Sequence, residues 1–376
     1  MIGGTGPTGP YVVNGLVERG YEVTILHTGN HEVDTIPAGL EHVHTDPFDE
    51  VAVLEALGPR NFELVVAMYG RLRMLARVLQ GRCERFVSVG GVPVYRGFAR
   101  PDTLFPMGMP LPTREDGIKI EGDEVGKVIK ILESEAVVFE HHPTATHLRY
   151  PLIYGPGQLL PREWLIVRRI LDGRRTIVLP DAGLSLRTAA YGENAAHALL
   201  CCVDRPDASA GRAYNVGDEH TLTLSQITEV IAAALDHEWE LVGMPLALAP
   251  HTRGLLATSW TNHRVTGIEA IRADVGYRDV VPAVEAYART AHWLAANPPL
   301  AGGREERGLQ DPFDYEWEDR LVAAWRASTA SVAAVAGSGG HRFVDRYAEG
   351  RRNELNARRS SASAPSVPSA GPPAMS

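Results

Sequence analysis

Apolar and polar positions alternate in short blocks along the first 157 residues. The runs YEVTILH, FELVVAMYG and RFVSVGG are rich in the β-branched and aromatic residues typical of strands. Between them, PYVVNGLVERG, EVAVLEALG and RMLARVLQG repeat apolar residues at helical spacing. Strands that alternate with helices at this interval predict an α/β fold with a doubly wound parallel sheet over residues 1–157. The pattern also predicts a longer helix from about Glu124 to Glu140.

The pattern becomes mixed in residues 158–300. EWLIVRRILDG, ENAAHALLCCVD and SQITEVIAAALD are helical, whereas RTIVLP and RAYNVGD resemble strands. We expect a smaller substrate-binding lid interleaved with strands that return to the sheet. For residues 301–330 we predict a helical extension, because Phe313, Trp317, Leu321 and Trp325 are spaced four residues apart and would form one apolar stripe. For residues 331–376, which are rich in Ser, Pro and Ala, we predict a largely disordered tail.

The amino-acid composition indicates which classes of molecule the protein can bind. Hydrophobic residues make up 44% of the 376 residues and the formal net charge is −9, which favours a small-molecule partner and disfavours nucleic acid. No long apolar run or secretory signal is present, so we expect a cytoplasmic protein without membrane contact; the apolar stripe allows a homodimer. The fourteen histidines are scattered along the chain, and we expect no metal site.

The chain opens with a glycine-rich turn, MIGGTGPTGP, immediately before a predicted helix. Gly3, Gly6 and Gly9 would let a pyrophosphate approach the backbone at a helix N-terminus, which indicates a dinucleotide site. Only Met1 and Ile2 precede the turn, too few for a full strand. We therefore expect that the recorded start is misassigned or trimmed.

Several motifs in order resemble one known family. The glycine turn, HTDPFD, RFVSVGGVPVY, RYPLIYGPGQ, RAYNVGD and GYRDVVPAVEAYARTAHWL together make the chain similar to the NAD-dependent epimerase/dehydratase family, the extended branch of the short-chain dehydrogenase/reductases. The resemblance covers roughly residues 2–296 and implies a Rossmann-like fold with NAD(P) as cofactor.

The resemblance also implies a set of cofactor-binding residues. His27 and Thr28 stand where a carboxylate or an arginine would separate NAD from NADP, so only NAD(P) is predicted. The implied contacts are Gly3, Thr5, Gly6, Pro7, Thr8 and Gly9 at the pyrophosphate, Asp46 and Pro47 at the adenine, Ala67, Met68 and Tyr69 at the ribose, and Pro151, Leu152 and Ile153 at the nicotinamide.

The catalytic pattern of the family is broken in this chain. None of the twelve tyrosines is followed by a lysine four residues later. The best match to the family lysine is Lys127, which leaves Asp123 where the tyrosine belongs. The family also has a Ser or Thr that orients the substrate oxygen. Counting back four residues from Tyr95, this position is Gly91 in this chain, and Ser88 lies three residues earlier.

Three interpretations of this break remain open. The protein is an enzyme in which Lys127, or a carboxylate such as Asp123 or Glu124, replaces the tyrosine; or it is a catalytically inactive NAD(P)-binding scaffold or sensor; or Tyr95 or Tyr154 supplies the phenol from elsewhere.

On the substrate side, the resemblance aligns Arg187 with the arginine that binds a substrate diphosphate. We also expect substrate contacts from Ser88 and Tyr95, and Arg162 and Trp164 could add to the wall of the site. The predicted function is an NAD(P)-dependent oxidoreductase, epimerase or dehydratase acting on a polar small molecule, with a nucleotide sugar as one candidate.

Overall fold

The computed structural model describes residues 1–30, 33–68, 71–121, 126 and 128–338. The strands are β1 Thr24–His27, β2 Glu41–His44, β3 Phe62–Met68, β4 Cys83–Gly91, β5 Thr146–Tyr150, β6 Leu152–Tyr154, β7 Thr176–Pro180, β8 Ala189–Tyr191, β9 Arg212–Asn215 and β10 Glu240–Met244. The helices are α1 Gly9–Glu18, α2 Glu50–Leu57, α3 Leu72–Val78, α4 Ile129–His141, α5 Trp164–Leu171, α6 Gly192–Asp204, α7 Pro206–Ser209, α8 Leu224–Ala234, α9 Arg253–Leu256, α10 Glu269–Val275, α11 Ala283–Ala296, α12 Arg304–Leu309 and α13 Tyr315–Ser338.

One parallel sheet organises the first half of the chain. Ile2 bridges both Leu26 in β1 and Ala67 in β3, and so joins the β1–β2 pair to the four strands ordered β3-β4-β5-β9. The order across the sheet is therefore β2, β1, Ile2, β3, β4, β5 and β9. The order reverses between Ile2 and β3, and this reversal creates the crevice in which doubly wound folds bind their ligands.

Both faces of the sheet are covered by helices, as predicted. Val12, Val13 and Leu16 of α1 share one core with the alanines and leucines of α6. On the other face, Leu57 of α2 and Leu75 of α3 belong to a second core. Strands that are buried on two faces need apolar or small residues in their central part. β3 is accordingly buried over residues 65–67 and β4 over residues 86–91. The Rossmann-like fold class is confirmed.

The smaller region is built from parallel strand pairs with their own core. β7 pairs with β10 and β6 pairs with β8, while helices α5, α8 and α11 contribute to a separate apolar cluster. β9 returns to the main sheet beside β5, as expected for an interleaved lid. The chain from Met1 to Asp314 forms one compact unit, so the expected boundary at 157 does not separate two compact bodies.

Two expectations about helices need correction. The helix expected from about Glu124 is described as α4 from Ile129 onward, and Gly126 and Val128 lie in turns. Glu124 itself lies outside the described residues. Phe313 does not belong to the expected helical stripe, because it has φ +51 and precedes the first residue of α13. That helix continues to Ser338, past the expected boundary at 330, and 339–376 lie outside the described residues.

Among the described residues, no helix is long and apolar enough to cross a membrane.

Candidate functional site

The glycine turn lies at the point where the strand order reverses. Gly3 has φ +82, and a Cβ at this position would come 3.3 Å from the carbonyl oxygen of Met68 at the end of β3. A side chain at Gly9 would overlap the backbone of Gly4, so the turn closes only with glycine there. Gly6 is exposed, and a Cβ at Gly6 would have no atom within 4 Å. The turn is therefore open on the side of Gly6.

The N-terminus of α1 follows this open side directly. Thr8 is the N-cap residue, but its side chain makes no capping hydrogen bond, and Pro10 in the first turn has no N–H group. Amide groups at a helix start that lack a side-chain partner, together with the helix dipole, attract an anion. Thr5 and Pro7 are half-buried, and a Cβ at Gly192 of α6 would lie 2.9 Å from the Pro7 carbonyl oxygen. Helix α6 thus holds the turn in place.

The other expected cofactor residues follow the carboxyl ends of β2, β3 and β5, which lie along the same edge of the sheet. The Asp46 carboxylate is exposed and accepts a hydrogen bond from the Phe48 amide at 2.9 Å. Ala67 has no exposed surface. Met68, Pro47 and Ile153 are half-buried and Pro151 is buried; Tyr69 lies outside the described residues.

Strand register brings three histidines together at the end of β1. His27 and His44 are paired residues in the parallel β1–β2 ladder, and His42 lies two residues before His44 on the same face. Nε2 of His27 is 2.9 Å from Nδ1 of His42, and one ring nitrogen from each of the three lies within 4.8 Å of the others. The expectation that the histidines are scattered is therefore wrong for these three.

Ser88 does not face a substrate, contrary to expectation. It has no exposed surface, and its hydroxyl is 2.8 Å from Nδ1 of His147 in the neighbouring strand β5. Burial lowers the pKa of His147 to about 4, so the ring is neutral near pH 7. The pair is a hydrogen bond inside the sheet.

Tyr95 is also sealed in the interior, which corrects its expected substrate contact. Its hydroxyl donates to Oδ1 of Asn215 at 2.6 Å and accepts from Nη1 of Arg149 at 2.7 Å. Burial raises the pKa of Tyr95 to about 12 although Arg149 acts to lower it. A phenol that ionises so reluctantly is a poor general base near neutral pH.

Tyr154 has a comparable structural role. Its hydroxyl donates to Oδ2 of Asp218 at 2.7 Å, and its ring stacks on Tyr287 with centroids 4.0 Å apart. Burial raises its pKa well above the ordinary value, and the neighbouring Tyr287 and Asp218 add to the effect. Neither Tyr95 nor Tyr154 has the environment of the missing catalytic tyrosine.

Arg187 is one member of a cluster of three arginines. Nη1 of Arg187 and Nη2 of Arg264 both donate to the carbonyl of Leu256, at 2.9 and 2.7 Å, and Nη1 of Arg162 donates to the carbonyl of Gly254 at 2.6 Å. Burial lowers the pKa of Arg264 to about 9 and that of Arg162 to about 10, and the Arg187 charge lowers both further. The buried Nε atoms of Arg162 and Arg264 have no hydrogen-bond partner among the described residues.

The positive charge of this cluster is only partly compensated, since the Glu163 carboxylate acts to raise the pKa of Arg162. Among the described residues, none of the three arginines forms an ion pair with a carboxylate. Arg187 and Arg264 also line a small cleft with Trp260 and Asn262. The guanidinium group of Arg264 also lies over the ring of Phe98, 5.2 Å from its centroid. Guanidinium groups without an ion-paired carboxylate are suited to bind an anion. The sequence indicated Arg187 and Arg162, but it carried no signal for Arg264.

A larger cavity is also basic. It has a volume of about 570 Å³ and opens between α3 and α4 beside Val89 and Gly90 of β4. Its lining includes Arg71, Arg73, Arg77 and Lys130, of which Arg73 is paired with Glu133 at 2.6 Å.

Comparisons with known proteins agree with this architecture. No family model matches the chain. A 3-diazoavenalumate denitrifying reductase from a Streptomyces species is 24% identical over 300 residues, which cover 75% of this chain and 96% of that protein. An epimerase from Methanothermobacter thermautotrophicus superposes with a TM-score of 0.63 at 18% identity, over 79% of this chain and 91% of that chain. A dTDP-glucose 4,6-dehydratase from Streptomyces venezuelae, with NAD and TYD bound, has a TM-score of 0.58 at 18% identity, over 79% and 96% of the two chains.

The chain has the fold of these epimerase and dehydratase structures. The glycine turn, one of the motifs behind the sequence resemblance, lies at the reversal of strand order in this fold. The two residues expected to carry the acid/base chemistry, Lys127 and Asp123, lie outside the described residues.

Among the described residues, Lys119 is a basic group that the sequence analysis missed. Its Nζ donates to the carbonyls of Glu115 and Gly117 at 2.6 and 2.9 Å and lies 4.5 Å above the ring of Tyr95. Burial lowers the pKa of Lys119 to about 8, and the nearby Arg149 lowers it further. No sequence motif distinguishes Lys119, since its environment arises from tertiary contacts.

Proposed function

We propose that this protein binds NAD(P) at the glycine turn and catalyses hydride transfer to or from an anionic small molecule. The observation that carries the proposal is the open side of the turn at Gly6, where the start of α1 meets the reversal in strand order. The structural relatives include proteins with bound NAD, which supports the same cofactor class here.

The residues of the turn fit a dinucleotide pyrophosphate. Gly6 leaves room for the phosphates, while the uncapped start of α1 offers N–H groups and a partial positive charge. When bound, the nicotinamide supplies or accepts a hydride. The proposed contacts are Gly3, Thr5, Gly6, Pro7, Thr8 and Gly9 at the pyrophosphate, His27 near the ribose, Asp46 and Pro47 at the adenine, Ala67, Met68 and Tyr69 beside the ribose, and Pro151 and Ile153 at the nicotinamide.

The arginine cluster of Arg162, Arg187 and Arg264 is the proposed site for the anionic group of the substrate. A phosphate or carboxylate would supply the charge-assisted partner that the buried Nε atoms of Arg162 and Arg264 lack. The relatives are named for UDP-glucose, dTDP-glucose and 3-diazoavenalumate, all of which are anions. A nucleotide sugar and a diazo carboxylate are therefore the two substrate classes to test first.

Lys127 is our proposed acid/base residue, with Asp123 as a neighbouring carboxylate. The sequence register supports this assignment, since Lys127 aligns with the lysine of the family. Lys119 is the competing candidate, because burial has lowered its pKa toward neutrality. In either case the lysine must hold or release a proton at the substrate atom next to the carbon that exchanges the hydride.

The test of the substrate site is spectrophotometric. Absorbance at 340 nm would be followed for reduction of NAD⁺ and NADP⁺ with nucleotide sugars, whose alcohol groups donate a hydride, and for oxidation of NADH and NADPH with 3-diazoavenalumate. The assay would use wild type, Arg264→Met and the exposed-site control Arg304→Met. We expect Arg264→Met to raise KM at least about tenfold, because one buried charge-assisted contact is lost, with cofactor affinity unchanged. Equal kinetics of Arg264→Met and wild type would contradict an anion site at the arginines.

The acid/base assignment is tested in the same assay. Lys127→Met should lower kcat about 100-fold or more while the dinucleotide still binds. A comparable loss in Lys119→Met alone would move the role to Lys119. Tight dinucleotide binding without turnover on any substrate of the panel would instead favour an inactive scaffold.

A further inference from the structure

His27, His42 and His44 form a compact cluster at the exposed edge of the β1–β2 pair. The ring centroids of His27 lie 5.1 Å from His42 and 4.9 Å from His44, and both contacts are edge-on. The ring faces are therefore not stacked, and one ring nitrogen from each of the three histidines lies within 4.8 Å of the others. The three side chains therefore present nitrogen atoms to one another.

The nitrogen positions are close to those of a metal site. A zinc ion bound at about 2.0–2.1 Å by tetrahedral ligands separates neighbouring ligand nitrogens by about 3.4 Å. Here the nitrogens of His27 and His42 are 2.9 Å apart, and no pair in the set exceeds 4.8 Å. The separation expected for zinc lies between these two distances. The contact of 2.9 Å also requires a ring lone pair, the form in which imidazole binds a metal.

The surroundings leave room for a fourth ligand. His27 is buried, His42 is half-buried and His44 is exposed, so the cluster is open on one side. Gly29 has φ +73, and a Cβ there would come within 3.1 Å of the ring of His44. The backbone at Gly29 therefore packs directly on this ring and limits its position. Three fixed imidazoles with one open side are the ligand set of a zinc site that keeps a water.

We propose that His27, His42 and His44 bind one divalent transition-metal ion of the zinc class. Neutral nitrogen donors select Zn²⁺, Co²⁺, Ni²⁺ or Cu²⁺ over Mg²⁺ and Ca²⁺, which prefer oxygen ligands. Parallel pairing of β1 and β2 creates the site, since His27 and His44 are far apart in the sequence but adjacent in the sheet.

The test is titration of the untagged full chain, without dinucleotide, with ZnCl₂ against a chromophoric chelator and separately with CoCl₂. Wild type should bind one equivalent of Zn²⁺, and Co²⁺ should give visible d–d absorption bands. His44→Gln removes an exposed ligand with little effect on folding and should weaken Zn²⁺ binding at least about tenfold. His42→Gln should do the same.

His292→Gln is the matched control, because His292 is an exposed histidine on α11. It should bind Zn²⁺ as wild type does. The proposal is overturned if wild type takes up no stoichiometric Zn²⁺, or if His44→Gln and His42→Gln, with unchanged circular dichroism, bind as tightly as wild type. Since no dinucleotide is present, the outcome is independent of the proposed enzymatic function.

Discussion

Asp218 is the buried carboxyl group whose environment has the clearest pH consequence. It accepts hydrogen bonds from the Tyr154 hydroxyl at 2.7 Å, the Asn194 amide at 2.9 Å and the Tyr191 backbone N–H at 3.0 Å. Burial nevertheless raises its pKa from 3.8 to about 6. The folded chain therefore holds this proton more tightly than the unfolded chain does. Its contribution to stability is complete below pH 3.8 and is lost as the pH rises to about 6.

Asp218→Asn removes this titration and should flatten the dependence of stability on pH. Between about pH 4 and pH 7, we expect wild type to lose on the order of 3 kcal/mol relative to the variant. Thermal unfolding at several pH values measures this difference, and Asp207→Asn at an exposed position of α7 is the control. Parallel curves for wild type and Asp218→Asn would contradict the raised pKa.

Some individual site residues could be predicted from the sequence and others could not. The glycines of the turn could be identified because their spacing and the following helix form a local signal. Burial of a side chain, in contrast, depends on residues that are distant in the sequence. Ser88 and Tyr95 belong to the motif RFVSVGGVPVY, but Ser88 is enclosed by His147 of the paired strand and Tyr95 by Arg149. Arg264 had no signal at all, because its neighbours come from distant parts of the chain.

At the scale of elements, β4 and β5 fit together because residue 90 is glycine. A methyl group at Gly90 would overlap Nε2 of His147, and both residues are buried in the sheet. The rigid imidazole cannot move away, since its Nδ1 is bonded to Ser88. Packing of β4 on β5 therefore depends on this pair of side chains.

Gly90→Ala should destabilise the protein by about 1–3 kcal/mol, the usual cost of overpacking a core. Chemical denaturation measures the loss, and Gly337→Ala in α13, where a Cβ meets no atom within 4 Å, is the control. When His147 is also replaced by alanine, most of the destabilisation caused by Gly90→Ala should disappear. An equal cost of Gly90→Ala in both backgrounds would rule out the contact with His147.

The order of the elements could be predicted from periodicity, but their register could not. β1 was expected from the pattern YEVTILH, whereas the pairing of His27 in β1 with His44 in β2 depends on which residues face each other. This is why the histidine cluster was missed. The start of α4 was expected too early, because apolar spacing continues through a glycine-containing turn before Ile129.

The whole molecule is organised around the reversal in strand order. The glycine turn, the ends of β3 and β5 and the start of α1 meet at one edge of the main sheet. The arginine cluster lies in the smaller region: Arg162 precedes α5, Arg187 precedes β8 and Arg264 follows α9. The proposed sites for the cofactor and for the substrate anion therefore involve different residues, and both favour negative charge.

Calorimetric titration of NAD⁺, NADH, NADP⁺ and NADPH tests the central claim most directly. We predict that one oxidised and reduced pair binds wild type with one site per chain. Gly6→Asp places a carboxylate on the open side of the turn and should weaken binding at least about 100-fold by charge repulsion, whereas Gly337→Asp should bind as wild type does. Absence of binding to wild type, or equal affinity of Gly6→Asp and wild type, would contradict a dinucleotide site at the glycine turn.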